Sequence, residues 1–334
     1  MIHRKTKVFV TRKIPGAGLQ LLQKQCLVKV YPHDNIISEQ ELIRGVRWCD
    51  ALLCLLTDKI TKKVIDVNPR LKIIANYAIG YDNIDVKYAT EKGIPVTNTP
   101  NEFITDAVAE HTFALMLAVT KRIVESDRFI RKGKYKGWAP MLLLGTELKG
   151  KTLGIIGLGR IGSGVAERAS HGMGAKVLYY DVKRNLPFEK KYHAIKTSIQ
   201  DLLTKSDIVT VHVPLLKSTY HLIGRKELAM MKKTAYLINT SRGPVIDEEA
   251  LVQALQKKKI AGAALDVYEK EPHLAKGLEK LKNVVLTPHT ASATIEARSA
   301  MSEMAARNIL AVLQGKRPPQ LVNPEVYGKK VQRK

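Results

Sequence analysis

The sequence predicts an α/β protein with two doubly wound domains, each built around a parallel sheet. Short, continuously apolar runs alternate with helix-like segments over the first hundred residues, and a second series of the same kind starts at Lys151. Apolar runs without polar alternation indicate strands that are covered on both faces, as the strands of a parallel sheet are. The chain has 334 residues, which is enough for two domains with separate cores.

The first series contains five predicted strands, separated by turn-forming pairs such as Pro15-Gly16. They are "KVFVT" at 7–11, "LVKVY" at 27–31, "ALLCLL" at 51–56, "LKIIAN" at 71–76 and "IPVTN" at 94–98. From Thr105 to about Lys132 the pattern is that of one long helix, rich in Ala and Leu and free of Pro and Gly. Its apolar stretch "FALMLAV", which starts at Phe113, is predicted to be too short to span a bilayer.

The second series contains six predicted strands and ends in a helix. The strands are "KTLGII" at 151–156, "KVLYYD" at 176–181, "SDIVTVHVP" at 206–214, "TAYLINT" at 234–240, "IAGAALD" at 260–266 and "NVVLTPH" at 283–289. A long amphipathic helix is predicted to begin near Ser292, a residue type that caps helices. Because strands and helices alternate in both series, both halves of the chain are predicted to be doubly wound.

Composition narrows the class of protein. The hydrophobic content of 45% is that of a globular protein, and the first residues, "MIHRKTKVFVTRKIP", offer no long apolar region of the kind a secretory signal needs. A cytoplasmic location is therefore predicted. Cys26, Cys49 and Cys54 have no metal-ligand spacing and leave an odd count, so we expect buried, reduced thiols and no metal site.

The formal net charge of +24 raises the question of nucleic-acid binding. Lys and Arg recur along the whole length, however, and no recognition helix or RNA-binding motif accompanies them. The distribution favours a solvated basic surface over a nucleic-acid partner. Such a field would also attract small anions to a cleft.

The sharpest local motif is a glycine-rich loop that points to a dinucleotide. Gly157, Gly159 and Gly162 form G-x-G-x-x-G directly after an apolar strand and at the start of an amphipathic helix. In this context the first glycine permits a tight turn, the second lets the backbone approach a pyrophosphate, and the third allows close packing of helix and strand. The free amides near Arg160 and Ile161 would receive the anion. A Rossmann-like domain is therefore predicted.

Asp181 supplies the acidic residue expected in such a domain, at the end of the next strand. A carboxylate there accepts hydrogen bonds from the ribose hydroxyls and repels a 2′-phosphate, which favours NAD over NADP. Lys183 and Arg184 lie close enough in sequence to reach a phosphate, so NADP stays open as an alternative.

Three further motifs follow predicted strands of the second series, where an open α/β sheet places its ligand crevice. They are "LINTSRGPVIDEEAL", "AGAALDVYEKEP" and "VVLTPHTASAT". With these, and with "YAIGYDNIDV", "TNTP", "AVAEHTFALML" and "PPQLVN", the chain resembles the D-isomer-specific 2-hydroxyacid dehydrogenases from about Lys7 to Asn323. Among them it is most similar to glyoxylate/hydroxypyruvate reductases. The resemblance implies NAD-dependent reduction of a small 2-oxo acid to the D-2-hydroxy acid.

The resemblance also implies the catalytic residues, which are Arg242, Glu271 and His289. Hydride addition to a carbonyl leaves negative charge on oxygen, which needs a proton donor and an electrophilic partner. His289 would donate the proton, and Glu271 would orient it and favour its charged form. Arg242 would polarise the carbonyl and hold the carboxylate in a planar fork. The other histidines, including His111 and His212, are predicted to be packed or locally bonded.

The remaining site residues follow from the same resemblance. Backbone amides of Ala78, Ile79 and Gly80 would hold the substrate carboxylate, together with Arg242 and His289. The nicotinamide carboxamide would bind to Asp266. The residues expected to line the cofactor groove, besides the glycine loop, are Pro214, Thr240, Ser241, Arg242, His289 and Ala291.

Domain organisation and assembly are expected to follow the family. Residues 1–100 and 290–334 would form a discontinuous, flavodoxin-like substrate-binding domain, and an NAD-binding domain at 101–289 would be inserted into it. A helix and arm at about 105–150 would form a homodimer interface, with Trp138 beside the partner's substrate pocket. The alternative for Trp138 is burial within its own subunit.

Two other functions share these motifs. One is D-3-phosphoglycerate dehydrogenase, which would need additional basic residues in the cleft. The other is a corepressor-like protein that binds NAD as a conformational ligand, although all three catalytic residues are intact here. Turnover of glyoxylate with NADH discriminates between the corepressor-like protein and the reductase.

Overall fold

The protein is described here by a computed structural model covering residues 5–328. The chain divides into two compact units. Within the described residues, one unit contains 5–104 and 294–328, and the other is Thr105–Ala293. Each unit has its own fully parallel sheet, which confirms the predicted α/β fold class.

The first unit has a five-stranded sheet in the order β2-β1-β3-β4-β5. Its strands are β1 (Lys7–Val10), β2 (Leu27–Val30), β3 (Ala51–Leu55), β4 (Ile74–Tyr77) and β5 (Val96–Thr97). Helices α1 (Gly16–Gln25), α2 (Glu39–Trp48), α3 (Lys62–Asp66) and α4 (Val86–Glu91) alternate with them. The expectation that every strand is covered on both faces is wrong for β2, because β2 is an edge strand and leaves Leu27 49% exposed.

The second unit has a seven-stranded sheet in the order β12-β11-β10-β9-β6-β7-β8. Its strands are β6 (Thr152–Ile156), β7 (Lys176–Tyr180), β8 (Ile195–Lys196), β9 (Ile208–Val211), β10 (Tyr236–Asn239), β11 (Gly262–Leu265) and β12 (Val284–Leu286). The strand order reverses at β6, and a crevice opens beyond the carboxyl ends of the strands at such a point. The glycine-rich loop follows β6, so the fold places it at this switch point.

Seven helices surround the second sheet or lead into it: α5 (Glu102–Thr120), α6 (Ile123–Arg131), α7 (Arg160–Met173), α8 (Leu186–Tyr192), α9 (Ile199–Lys205), α10 (Arg225–Met230) and α11 (Glu248–Gln256). The prediction of one long helix from Thr105 to Lys132 is wrong. Arg122 adopts a left-handed conformation with φ of 56°, and its guanidinium bonds Glu125 at 2.9 Å. The amide of Thr146 bonds the carbonyl of Thr120 at 2.8 Å, which takes the place of a continuing helical turn.

Within residues 5–328, α5 is the one helix whose length and composition would allow it to cross a membrane. The stretch "FALMLAV", which was predicted to be too short to span a bilayer, makes up seven residues of this 19-residue helix. Half of it is nevertheless buried inside the protein. Leu115 and Met116 pack with Ile155 and Val165 in the core of the second unit.

The last long helix, α12 (Ile295–Leu313), belongs to the first unit. It packs against α1, where a Cβ at Gly18 would lie 2.1 Å from the carbonyl oxygen of Ser302. The predicted start near Ser292 is wrong, because the amide of Ala293 bonds the carbonyl of Thr290 and closes a turn there. Thr294 caps the helix instead, accepting a hydrogen bond from the amide of Ala297 at 3.1 Å.

The three cysteines are free and buried, as predicted. Burial is the main reason why the pKa of Cys49 rises to about 12, which keeps this thiol protonated and unreactive.

Candidate active site

The glycine-rich loop has the geometry that close approach of a ligand requires. Gly157 has φ of 95°, a left-handed conformation that favours glycine. A Cβ at Gly162 would lie 2.0 Å from the carbonyl oxygen of Gly157, so only glycine lets α7 pack this closely on the loop. At Gly159, a Cβ would meet no atom within 4 Å in the described part of the chain, apart from the glycine itself and the residues next to it along the chain. Because α7 begins at Arg160, the amides of Arg160 and Ile161 have no partner within the helix.

Asp181 is turned toward this loop. One of its carboxylate oxygens accepts the amide of Leu158 at 2.7 Å, and the other accepts the amide of Lys183 at 3.1 Å. Arg184 is bound to Glu189 at 2.9 Å, and this hydrogen bond is the main reason why the pKa of Glu189 is lowered. Of the two cations that could serve a phosphate at Asp181, Lys183 and Arg184, the second is therefore engaged elsewhere.

The three expected catalytic residues follow three strands that are adjacent in the sheet. Arg242 comes after β10, Glu271 lies in the loop after β11, and His289 comes after β12. The carboxyl ends of parallel strands lie at the same edge of a sheet. The loops after β10, β11 and β12 therefore lie at the same edge as the glycine-rich loop after β6. The imidazole Nδ1 of His289 lies 2.9 Å from Oε2 of Glu271, and Oε1 of Glu271 accepts the amide of Tyr268 at 3.0 Å.

The charge of Glu271 is stabilised by its neighbours. Burial alone would raise the pKa of Glu271, but the hydrogen bond and charge of His289, the amide of Tyr268 and the charge of Arg242 together lower it. Glu271 is therefore ionised at neutral pH. Its carboxylate fixes Nδ1 of His289, which leaves Nε2 as the ring nitrogen that can exchange a proton with a ligand.

A second carboxylate, Asp266, holds the backbone around His289. It is fully buried, and its two oxygens accept the amides of Thr290 and Ala291, both at 2.8 Å. The carbonyl of Asp266 also accepts the amide of His289 at 2.9 Å, and His289 adopts φ of 55°. Burial would raise the pKa of Asp266, but hydrogen bonds from His111, Thr287 and these two amides lower it. Sequence reasoning assigned Asp266 to the cofactor and missed this contact, because no local spacing relates residues on separate strands.

Two histidines outside the catalytic group have local partners, as predicted. His111 Nε2 lies 3.1 Å from Thr287 Oγ1 and 3.4 Å from a carboxylate oxygen of Asp266. His212 is bonded to Thr210 at 2.9 Å, and burial lowers its pKa to about 3. His212 is therefore neutral at physiological pH.

Close packing also joins the Arg242 turn to the loop that carries Glu271. A Cβ at Gly243 would lie 1.9 Å from the backbone carbonyl of Tyr268, so the two segments touch through the glycine. The buried carboxylate of Glu248, at the start of α11, accepts the amides of Glu269 and Ala275, both at 2.7 Å. These contacts fix Arg242 and Glu271 in one framework, and no motif in the sequence indicated them.

The other expected cofactor residues lie after β9 and β10, at the same edge. The hydroxyl of Ser241 donates to Asn239 at 2.7 Å, and Thr240 Oγ1 lies 2.9 Å from Thr112 Oγ1. The carbonyl of Pro214 accepts the hydroxyl of Thr219 at 2.6 Å. Ala78, Ile79 and Gly80 belong to the first unit, directly after β4.

Trp138 lies in an arm of irregular structure that follows α6. Its side chain is 84% exposed, so the alternative that it is buried within its own subunit is wrong. The apolar side chains of Met141 and Leu144 on the same arm are also exposed.

The sequence and the fold were compared with known proteins. Residues 113–291 match the family described as "D-isomer specific 2-hydroxyacid dehydrogenase, NAD binding domain". The chain is 56% identical over 324 residues to a glyoxylate reductase of Thermofilum pendens, covering 96% of this chain and 95% of the relative. It is 50% identical over 326 residues to a glyoxylate reductase of Thermococcus litoralis, covering 96% and 98%.

Two solved structures show the same fold. A protein of Thermus thermophilus matches with a TM-score of 0.89 and 41% identity, covering 95% of this chain and 99% of that one. The NADPH-dependent glyoxylate/hydroxypyruvate reductase of Sinorhizobium meliloti, in complex with NADP and malonate, matches with a TM-score of 0.83 and 30% identity, covering 96% and 97%.

Proposed function

Because the chain belongs to the D-isomer specific 2-hydroxyacid dehydrogenase family, we propose that it reduces glyoxylate or hydroxypyruvate with a nicotinamide cofactor. The product is the corresponding 2-hydroxy acid, in the D form where it is chiral. The observation that carries this proposal is the 56% identity, over nearly the whole chain, with a glyoxylate reductase. The pairing of His289 with Glu271 supports it, because carbonyl reduction needs a positioned acid.

The residues present fit a dinucleotide. Gly159 leaves open space for a pyrophosphate at the start of α7, and Asp181 stands at the end of β7, where ribose hydroxyls are bound in such folds. When bound, the reduced nicotinamide supplies the hydride for the carbonyl carbon of the substrate. The glycine-rich loop and Asp181 would bind and orient it.

The chain itself supplies the proton and the electrostatic stabilisation. Charge develops on the carbonyl oxygen as the carbon accepts the hydride, and His289 Nε2 gives that oxygen its proton. Glu271 stabilises the charged imidazole before transfer, and Arg242 stabilises the developing negative charge. Asp266, through the amides of Thr290 and Ala291, holds the segment that carries the acid. Backbone amides at Ile79 and Gly80 would bind the substrate carboxylate.

Steady-state reduction of glyoxylate and hydroxypyruvate, with NADH and NADPH in turn, tests the function. We expect turnover of both acids, with a higher kcat/KM for NADH, because Asp181 repels a 2′-phosphate. Asp181→Ala should narrow or reverse that preference. Asp201→Ala removes the same charge in α9, where Asp201 bonds Lys205, and should leave the preference unchanged.

Other results of this experiment would redirect the proposal. Failure to reduce glyoxylate would contradict the reductase, and preferential oxidation of 3-phosphoglycerate would assign a different substrate. NADH binding without turnover of any 2-oxo acid would favour a corepressor-like role. Equal efficiency of NADH and NADPH in the unaltered protein would contradict the role given to Asp181.

We further propose that the protein is a homodimer joined through α6 and the arm after it. Monomers rarely expose large hydrophobic side chains in succession, yet six lie here. They are Ile123 (55% exposed), Ile130 (56%), Tyr135 (51%), Trp138 (84%), Met141 (77%) and Leu144 (56%). Sedimentation at micromolar concentration should give the mass of two chains, and Met141→Lys with Leu144→Lys should shift the equilibrium toward one. A monomer in the unaltered protein would contradict the dimer.

A further inference from the structure

The loop after β4 is held by three successive carbonyl groups. The amide of Thr99 donates to the carbonyl of Ala78 at 2.9 Å. The side-chain amide of Asn98 donates to the carbonyl of Ile79 at 2.7 Å, and that of Asn76 donates to the carbonyl of Gly80 at 2.8 Å. Each of the three peptide planes is therefore fixed by a donor from the same unit.

Fixing a carbonyl also fixes the next amide. A trans peptide is planar, and the N–H of the following residue points opposite to the C=O. The three held planes carry the amides of Ile79, Gly80 and Tyr81, and none of residues 5–328 accepts a hydrogen bond from these amides. Successive N–H groups with fixed directions form a concavity that binds anions. These three amides, of residues 79–81, start one residue later than the predicted three, which were those of residues 78–80.

The donors are themselves held in place. Asn76 is fully buried, and its amide nitrogen lies 3.2 Å from a side-chain oxygen of Asn83. The carbonyl of Asn98 accepts the side-chain amide of Asn308 at 3.2 Å, and Asn308 is fully buried in α12. The oxygen of the Asn308 side chain accepts the amide of Gln320 at 3.2 Å. Asn308 therefore holds the backbone of Asn98 in place, and the side chain of Asn98 holds the loop after β4.

We propose that Asn98 is a positioning residue for the substrate carboxylate, through its bond to the carbonyl of Ile79, and that Asn308 holds Asn98 in register. This inference rests on the proposed function, because the anion it assigns to the loop is the carboxylate of a 2-oxo acid. Asn98 acts on the peptide plane and does not touch the substrate.

The position of this contact predicts which kinetic constant changes. The carboxylate is the same in substrate, transition state and product, so the loop binds all three alike. Loss of such uniform binding raises KM and leaves kcat nearly unchanged. A role in proton or hydride transfer would lower kcat instead, and a purely structural role would change only the melting temperature.

The experiment compares Asn98→Ala and Asn98→Asp with the unaltered protein at saturating NADH. Alanine removes the donor, and aspartate keeps the shape but presents an oxygen to the carbonyl of Ile79. For Asn98→Ala we expect KM for glyoxylate to rise about 10-fold, which is the effect of losing one hydrogen bond. For Asn98→Asp we expect a larger rise of KM. We expect kcat to fall less than twofold and the dissociation constant of NADH to stay unchanged.

Asn323→Ala is the matched control. Asn323 is another asparagine beside β5, and it is buried, but its oxygen accepts the amide of Val96 at 2.7 Å and its nitrogen donates to the carbonyl of Ile94 at 3.0 Å. Asn323→Ala should therefore lower the melting temperature without raising KM for glyoxylate. An equal rise of KM in this control, or a loss of kcat in the Asn98 variants, would overturn the proposal.

Calorimetry with oxalate separates this inference from the proposed function. Oxalate offers the same carboxylate but cannot be reduced by hydride. If the unaltered protein reduces glyoxylate and Asn98→Asp leaves KM unchanged, the positioning role fails and the function stands. If glyoxylate is not reduced but oxalate binds the unaltered protein at least 10-fold more tightly than Asn98→Asp, the function fails and the anion site stands.

Discussion

His289→Ala is expected to lower kcat for glyoxylate reduction by a factor of roughly 100 to 10,000 at every pH, the usual cost of losing one general acid. The variant lacks Nε2, the ring nitrogen left free to exchange a proton because Nδ1 is engaged by Glu271. NADH binding, measured by fluorescence titration, should persist, because the glycine-rich loop and Asp181 are unchanged.

His33→Ala is the control for this loss. His33 is an exposed residue of the first unit whose ring contacts Tyr31, and its removal should leave kcat unchanged. Retention of more than a tenth of the activity by His289→Ala would show that another group delivers the proton.

Glu271→Gln should shift the pH dependence of the rates of reduction and of oxidation without abolishing turnover. The lowered pKa of Glu271 means that its carboxylate is negative at neutral pH, where it favours the imidazolium beside it. Glutamine keeps the shape but removes the negative charge 2.9 Å from Nδ1 of His289, which removes the support for the charged form of the proton donor. The alkaline limb of the reduction rate should move to lower pH by about one to two units, and the acidic limb of the oxidation rate should move the same way.

At a pH well above the original limb, this shift corresponds to a 10- to 100-fold slower reduction, with each unit equivalent to about 1.4 kcal/mol. Glu269→Gln is the matched control, because Glu269 lies two residues away and pairs with His221 at 3.0 Å. It should leave both limbs in place. Unchanged limbs in Glu271→Gln, with chemistry shown to be rate-limiting, would mean that Glu271 does not tune His289.

The parts of the fold that sequence predicts well are those that local pattern determines. Continuous apolar runs predicted every strand of both sheets except β8, which has only two residues and therefore no period to detect. The end of α5 could not be predicted, because no Gly or Pro lies there and a non-glycine residue, Arg122, adopts the left-handed conformation. The helix start at Thr294 was missed for a similar reason, because a turn at Thr290 occupies the residue that looked like a cap.

The candidate site shows the same division. Motifs and family resemblance named His289 and Glu271, and the structure places their side chains 2.9 Å apart. What the sequence could not provide is the support behind them. The contacts of Asp266 with Thr290 and of Gly243 with Tyr268 join motifs that are separate along the chain, and nothing within one motif indicates which residue of another it contacts.

The packing of α12 on α1 has a consequence for biosynthesis. The first unit cannot be completed until the last segment of the chain is made, because Gly18 near the amino terminus packs against Ser302. The second unit, Thr105–Ala293, is contiguous and can fold while translation continues. At about 5–20 residues per second, the first hundred residues wait roughly 10 to 40 seconds for their missing helix. During that interval the face of α1 that packs against α12 in the finished protein stays uncovered.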